Sequence, residues 1–143
     1  MSAARASRGD LGLTHVALQV SDVDRSIAFY ERWAHLKVID RLEDAASGNK
    51  AARMSPSGDS SFVIALAQSA SQPVTQHLAG LGHLGVACAD RAEVDRLCAE
   101  AAEVGCLRRG PIEAGFPLGY WAFLTDPDGH QLELSYGQND PDA

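Results

Sequence analysis

The chain has 143 residues, 45% of them hydrophobic and 22% charged, which suits one domain or two very small ones and supplies enough apolar material for a core. With 12 basic against 19 acidic side chains the net charge is −7, and no basic cluster could track a phosphate backbone, which argues against a nucleic-acid partner. No apolar run reaches the length of a secretory signal or a membrane span, and three cysteines without CxxC spacing form no disulfide framework, so a soluble cytoplasmic protein is expected.

Residues 1–10 read as a polar tail. After it a repeat begins, because a shift of 68 residues lays Leu13-Thr14-His15-Val16-Ala17 over Leu81-Gly82-His83-Leu84-Gly85 and Asp22 over Asp90. The same shift lays Val63-Ile64-Ala65-Leu66 over Gln131-Leu132-Glu133-Leu134. In the first copy Val16, Leu18 and Val20 alternate with His15, Ala17 and Gln19, which predicts a strand. A helix follows from Asp24 to His35, with Ile27, Tyr30 and Trp33 on its buried side, and then three strands near 37–42, 50–55 and 61–68. The segment 69–78, containing SASQPVTQH, reads as a linker.

The second copy repeats the order. Asp90 with Glu93 three residues on is a capping box for a helix whose buried stripe is Val94, Leu97, Cys98 and Ala101. Strands are expected near 105–110, 119–125 and 130–136, the last two joined by Asp126-Pro127-Asp128-Gly129 as a type I turn. Residues 138–143 read as a second polar tail. The arrangement is thus one domain over 11–137, an α+β fold of two βαβββ modules, 11–68 and 79–137. One helix per module covers only one face of its sheet, so the other face is left for a cleft, a module contact or a partner.

His15, Ala65, His83 and Glu133 stand at corresponding places in the repeat. Each sits opposite the apolar face of its strand, since Leu18, Leu66, Val86, Leu132 and Leu134 point the other way. All four are therefore expected on the open face. Two imidazoles and one carboxylate form a facial ligand set for a divalent metal with open positions for substrate. Trp121 and Phe123 are expected beside them as an aromatic wall. Arg53, laid over Trp121 by the 68-residue shift, is the candidate for an anionic substrate or a solvated strand edge. Tyr120 and His130 alternate away from this face, while His35 at a helix end and His77 in the linker are read as structural.

LTHVALQVSDVDRSIAFYERW and GYWAFLTDPDGHQLELSYG together resemble the vicinal oxygen chelate superfamily, which includes glyoxalase I, extradiol dioxygenases, fosfomycin-resistance and bleomycin-resistance proteins and methylmalonyl-CoA epimerase. The resemblance runs over residues 11–137. It implies paired βαβββ modules in a cupped, partly open mixed sheet, the glyoxalase/bleomycin resistance/dioxygenase fold. It also implies one divalent ion, Fe2+, Mn2+, Ni2+ or Zn2+, at the strand positions held here by His15, His83 and Glu133.

The departures bear on activity. Members like glyoxalase I carry a carboxylate where this chain has Ala65, which counts against a standard glyoxalase I. Ring-cleaving dioxygenases place a tyrosine where this chain has Phe123, and a phenyl ring cannot hydrogen-bond a catecholate. Fosfomycin-resistance enzymes share the three ligands but surround their substrate with basic and hydroxyl groups not matched here. The expectation is a metal-dependent enzyme of dioxygenase, lyase, isomerase or transferase type acting on a small oxygen-bearing molecule, with no catalytic residue assigned beyond the metal ligands. The alternative is a bleomycin-resistance-type protein that sequesters a small molecule in an aromatic cleft without turnover. A homodimer is expected, either with each chain closing its own cleft or with modules paired across the dimer.

Overall fold

The computed structural model describes residues 12–59 and 61–143. The tail expected over residues 1–10 lies outside them. The chain divides into two compact units, Met1–Thr75 and Gln76–Ala143, and each contains a four-stranded mixed sheet with one helix packed on it. The fold class is α+β.

In the first unit β1 (His15–Gln19), α1 (Val23–Ala34), β2 (Lys37–Glu43), β3 (Lys50–Ser55) and β4 (Val63–Gln68) follow in order. The sheet runs β1-β4-β3-β2, with β1 parallel to β4 and the other pairs antiparallel. The helix starts at Val23 because the Asp22 carboxylate accepts the amides of Asp24 and Arg25 at 3.0 and 3.3 Å. It ends where His35 enters the left-handed region at φ 53 and its amide turns back to the Tyr30 carbonyl. Val23, Ile27, Tyr30, Trp33 and Ala34 are buried on one side of α1, and Leu18, Val20, Ala52, Met54 and Leu66 are buried on the sheet. Removing one such side chain, as in Leu66→Ala, costs about 2–5 kcal/mol.

The second unit holds β5 (Leu84–Ala87), α2 (Arg91–Val104), β6 (Leu107–Glu113), β7 (Tyr120–Thr125) and β8 (Gln131–Tyr136). Its sheet runs β5-β8-β7-β6, with β5 parallel to β8. Asp90 caps α2 through the Glu93 amide at 2.8 Å, and the Glu93 carboxylate accepts the amide of Ala89, one residue before the cap. Val94, Leu97, Cys98 and Ala101 are buried, as their spacing predicts. The Asp126 carboxylate organises the turn into β8 by accepting the amides of Asp128 and His130 at 2.8 and 2.9 Å.

β6 extends three residues past its expected end. Its register shifts on both sides of Arg109, and Gly110 has φ 97. A Cβ there would stand 2.8 Å from the Trp121 carbonyl, so glycine is required where the bulge presses on β7. Pro111 follows without breaking the sheet because β6 is an edge strand.

Linker residues are tied to the unit they adjoin. Gln19 donates to the carbonyls of Gln72 and Pro73, whereas Leu78 donates to His130 Nδ1 and its carbonyl accepts from Gln131. Residues 138–143, expected as a tail, bond back to their unit: the Asn139 amide reaches the Pro117 carbonyl at 2.8 Å.

Candidate metal centre

The helix covers one face of each sheet, so strand parity leaves the other face open. In the second unit hydrogen-bond register sets Gly85, Glu133, Phe123 and Arg109 side by side across β5, β8, β7 and β6. His83 precedes the first residue of β5 and its ring reaches this row. His83 Nε2 lies 2.9 Å from Glu133 Oε2, and the imidazole meets the Phe123 ring edge-on at 5.0 Å between centroids. Trp121 packs against Phe123 at 5.2 Å, and the Arg109 guanidinium lies over the indole at 5.3 Å. Trp121 and Phe123 thus lie together next to Glu133.

The protonation of this pair follows from its partners. His83 Nδ1 is 2.9 Å from the Leu81 carbonyl, and a carbonyl oxygen only accepts, so Nδ1 donates. In the neutral ring Nε2 then carries a lone pair aimed at a carboxylate oxygen. Two acceptors 2.9 Å apart require either a proton between them, on the ring or on the carboxyl, or a metal ion. Adjacent donors each about 2.1 Å from a six-coordinate divalent ion are about 3 Å apart, so the donor set fits a metal. A backbone carbonyl on the far ring nitrogen is also the usual support for a ligating histidine.

Glu133 is 8% exposed although it is a carboxylate on a strand. Its second oxygen, Oε1, accepts from Gln138 Nε2 at 2.6 Å. The sequence reading had no signal for Gln138. It lies beyond the end of β8, and Gly137, with φ 79, turns the chain so that the amide comes back over the strand.

In the first unit the corresponding row is Ala17, Ala65, Arg53 and Asp40 on β1, β4, β3 and β2. His15 opens β1 and is exposed, with its Nδ1 2.9 Å from Thr14 Oγ1. Ala65 is half-buried and offers only a methyl group. Arg53 sits on an interior strand, not at a solvated edge, and it matches Phe123, not Trp121. The 68-residue shift fails here because seven residues join β3 to β4 and five join β7 to β8. A bulge between Val38 and Asp40 turns Asp40 to face Arg53, whose Nε donates to the carboxylate at 3.0 and 3.2 Å. That hydrogen bonding holds the Asp40 carboxyl below its ordinary range and raises the Arg53 guanidinium.

His83 and Glu133 belong to the second unit and His15 to the first. Among the described residues no group of three or more His, Cys, Asp or Glu side chains is gathered that could hold a metal ion. Residues set aside by parity lie elsewhere. The Tyr120 hydroxyl bonds to Asp95 on α2, and His130 is buried and tied to Leu78. Cys88 and Cys98 are pushed up to about 11, chiefly by burial, so neither is a thiolate nucleophile at neutral pH. No helix among the described residues is long and apolar enough to cross a membrane.

Comparison with known proteins agrees with the fold. An uncharacterized protein of Pseudomonas aeruginosa is 37% identical over 126 residues, covering 88% of this chain and 89% of its own length. A probable chloroplastic lactoylglutathione lyase of Arabidopsis thaliana is 31% identical over 85% of this chain, which spans only 35% of that protein. Among solved structures, glyoxalase I of Leishmania major superposes with TM-score 0.69 at 24% identity, covering 92% of this chain and 88% of that one. The fosfomycin resistance protein FosX of Listeria monocytogenes gives TM-score 0.71 at 20% identity, covering 94% and 99%. A FosX mutant complexed with Mn(II) and a dihydroxypropylphosphonic acid gives 0.69 at 20% identity, covering 88% and 92%. The family model that matches residues 12–134 takes in nearly all of both units, and the chain belongs to the Glyoxalase/Bleomycin resistance protein/Dioxygenase superfamily.

Proposed function

We propose that this protein is a divalent-metal-dependent enzyme in which His15, His83 and Glu133 hold one ion and a small substrate binds it through two neighbouring oxygens. The observation that supports this most directly is the His83–Glu133 pair: with Nδ1 turned to the Leu81 carbonyl, Nε2 faces a carboxylate oxygen at the spacing of adjacent metal donors. Two imidazoles and one carboxylate suit Fe2+, Mn2+, Ni2+ and Zn2+ alike. When bound, such an ion supplies Lewis acidity to substrate oxygens. Two neutral imidazoles and one carboxylate cancel only one of its charges, which favours a substrate with an anionic oxygen.

The chain's own residues supply orientation. Trp121 and Phe123 present an apolar aromatic surface that packs against the body of the substrate and keeps water from the reacting oxygens. Arg53, aimed by Asp40, meets negative charge on the substrate. Ala65 supplies no carboxylate, so proton transfer by a base at that corner is not available and the reaction differs from that of a standard glyoxalase I. The assembly is a homodimer, either with each chain supplying its own three ligands or with His15 of one protomer joining His83 and Glu133 of its partner. Three cysteines without the spacing of a disulfide framework suit work in the reducing cytoplasm.

Elemental analysis of protein purified without a metal-affinity tag tests the reading. The expected result is close to one equivalent of a divalent metal. Less than about a tenth of an equivalent, with no uptake on reconstitution, overturns it. Thermal stabilisation by organic ligands that ignores a chelator would instead mark a sequestering protein.

A further inference from the structure

We infer that Gln138 is a positioning residue for the metal carboxylate, an inference that rests on the reading of His83 and Glu133 as ligands. The two oxygens of Glu133 have divided roles. Oε1 accepts the Gln138 amide at 2.6 Å, and Oε2 faces His83 Nε2 at 2.9 Å. The Gln138 amide fixes the rotation of the carboxylate and leaves Oε2 toward His83, so an ion held there would be met first by Oε2, and one-oxygen ligation would keep the remaining positions of a facial set for substrate.

The backbone around Gln138 is built to hold that amide in place. Gly119, at the entry to β7, approaches the turn so closely that a Cβ would stand 2.4 Å from the Tyr136 carbonyl and 3.0 Å from the Gln138 nitrogen. The Asn139 amide donates to the Pro117 carbonyl at 2.8 Å, and the Gly119 amide to the Gly115 carbonyl at 2.7 Å. The loop before β7 therefore clips the turn after β8 on both sides of Gln138. Gln138 itself is exposed, so its side chain is held over Glu133 by this hydrogen bond and not by burial in a core. Of the amide's two polar ends it is the NH2 that meets Glu133, and an apolar side chain of the same length lacks it.

The experiment compares Gln138→Met, which keeps length and removes the donor, with Glu133→Ala and the parent as full-length protein. Mn(II) affinity is read by competition with a chelator, and the visible spectrum of the Co(II)-loaded protein reports the coordination geometry. Gln138→Met is expected to weaken Mn(II) binding about tenfold and to change the Co(II) spectrum, with an unaltered melting temperature in the presence of chelator. Mn(II) affinity within about twofold of the parent and an unchanged Co(II) spectrum, while Glu133→Ala loses the metal, overturns the role of Gln138 and leaves the ligand assignment standing. Retention of metal by Glu133→Ala overturns both.

Discussion

Arg53 on β3 lies directly across from Ala65 on β4, in register and on the open face of the first sheet. In the second sheet the residue across from Glu133 is Phe123, which cannot compete for the carboxylate and leaves it to His83 and Gln138. The two halves of the repeat therefore treat the same corner oppositely: one presents a carboxylate beside an aromatic ring, the other a methyl group beside a guanidinium.

This contrast makes Ala65→Glu informative. On the proposed ligand set a carboxylate placed there would add a fourth ligand, so metal binding should tighten and turnover that needs the open position should fall. Arg53 stands within reach of the new carboxylate and competes for it. The gain in affinity should therefore be larger in the Ala65→Glu/Arg53→Gln double variant, measured by chelator competition. Unchanged affinity and turnover in both would show that the repeat misplaces the fourth corner.

His15 and the His83–Glu133 pair lie in different units, which allows a complementation test. Alone, His15→Ala and His83→Ala should each lose metal and activity. Mixed after unfolding and refolding together, they should regain about a quarter of parental activity when the ligands come from two protomers, because half of the dimers are mixed and each mixed dimer has one intact site of two. No recovery would show that each chain supplies all three ligands to its own site.

Asp40 carries a carboxyl held below its ordinary value by the hydrogen bond from Arg53. A depressed folded-state value means that the pair stabilises the protein above the unfolded carboxyl's range and stops doing so as pH falls through the folded one. Asp40→Asn should therefore melt lower than the parent at neutral pH, and the difference should shrink in acid. Melting curves of both proteins across the acid range check this. Because both side chains are partly exposed, the effect should also diminish at high salt.

Tyr120 is pushed up to about 12, first by its hydrogen bond to Asp95 on α2 and then by burial. The neutral phenol is favoured in the folded state, so the stabilisation is present below the ordinary tyrosine range and lost as pH rises through the raised value. Tyr120 should contribute a late step in tyrosinate absorbance, and Asp95→Ala should bring that step back toward the ordinary range. Loss of the late step in Tyr120→Phe would complete the assignment.

Much of this molecule is written locally. Alternation of Leu18 and Val20 with Ala17 and Gln19, the Asp22 and Asp90 caps, and the Val94-Leu97-Cys98-Ala101 stripe each follow from residues a few positions apart. The repeat placed His15, Ala65, His83 and Glu133 in equivalent positions because β1 with β4, and β5 with β8, keep the same register in both halves. What the sequence could not determine depends on hydrogen bonds between strands. The bulge that turns Asp40 toward Arg53 and the two extra residues between β3 and β4 that match Arg53 with Phe123 emerge only once strands pair. Gln138 is the clearest case: no periodicity relates it to Glu133, and its amide reaches that carboxylate only because a turn at Gly137 is clamped by the close approach of Gly119.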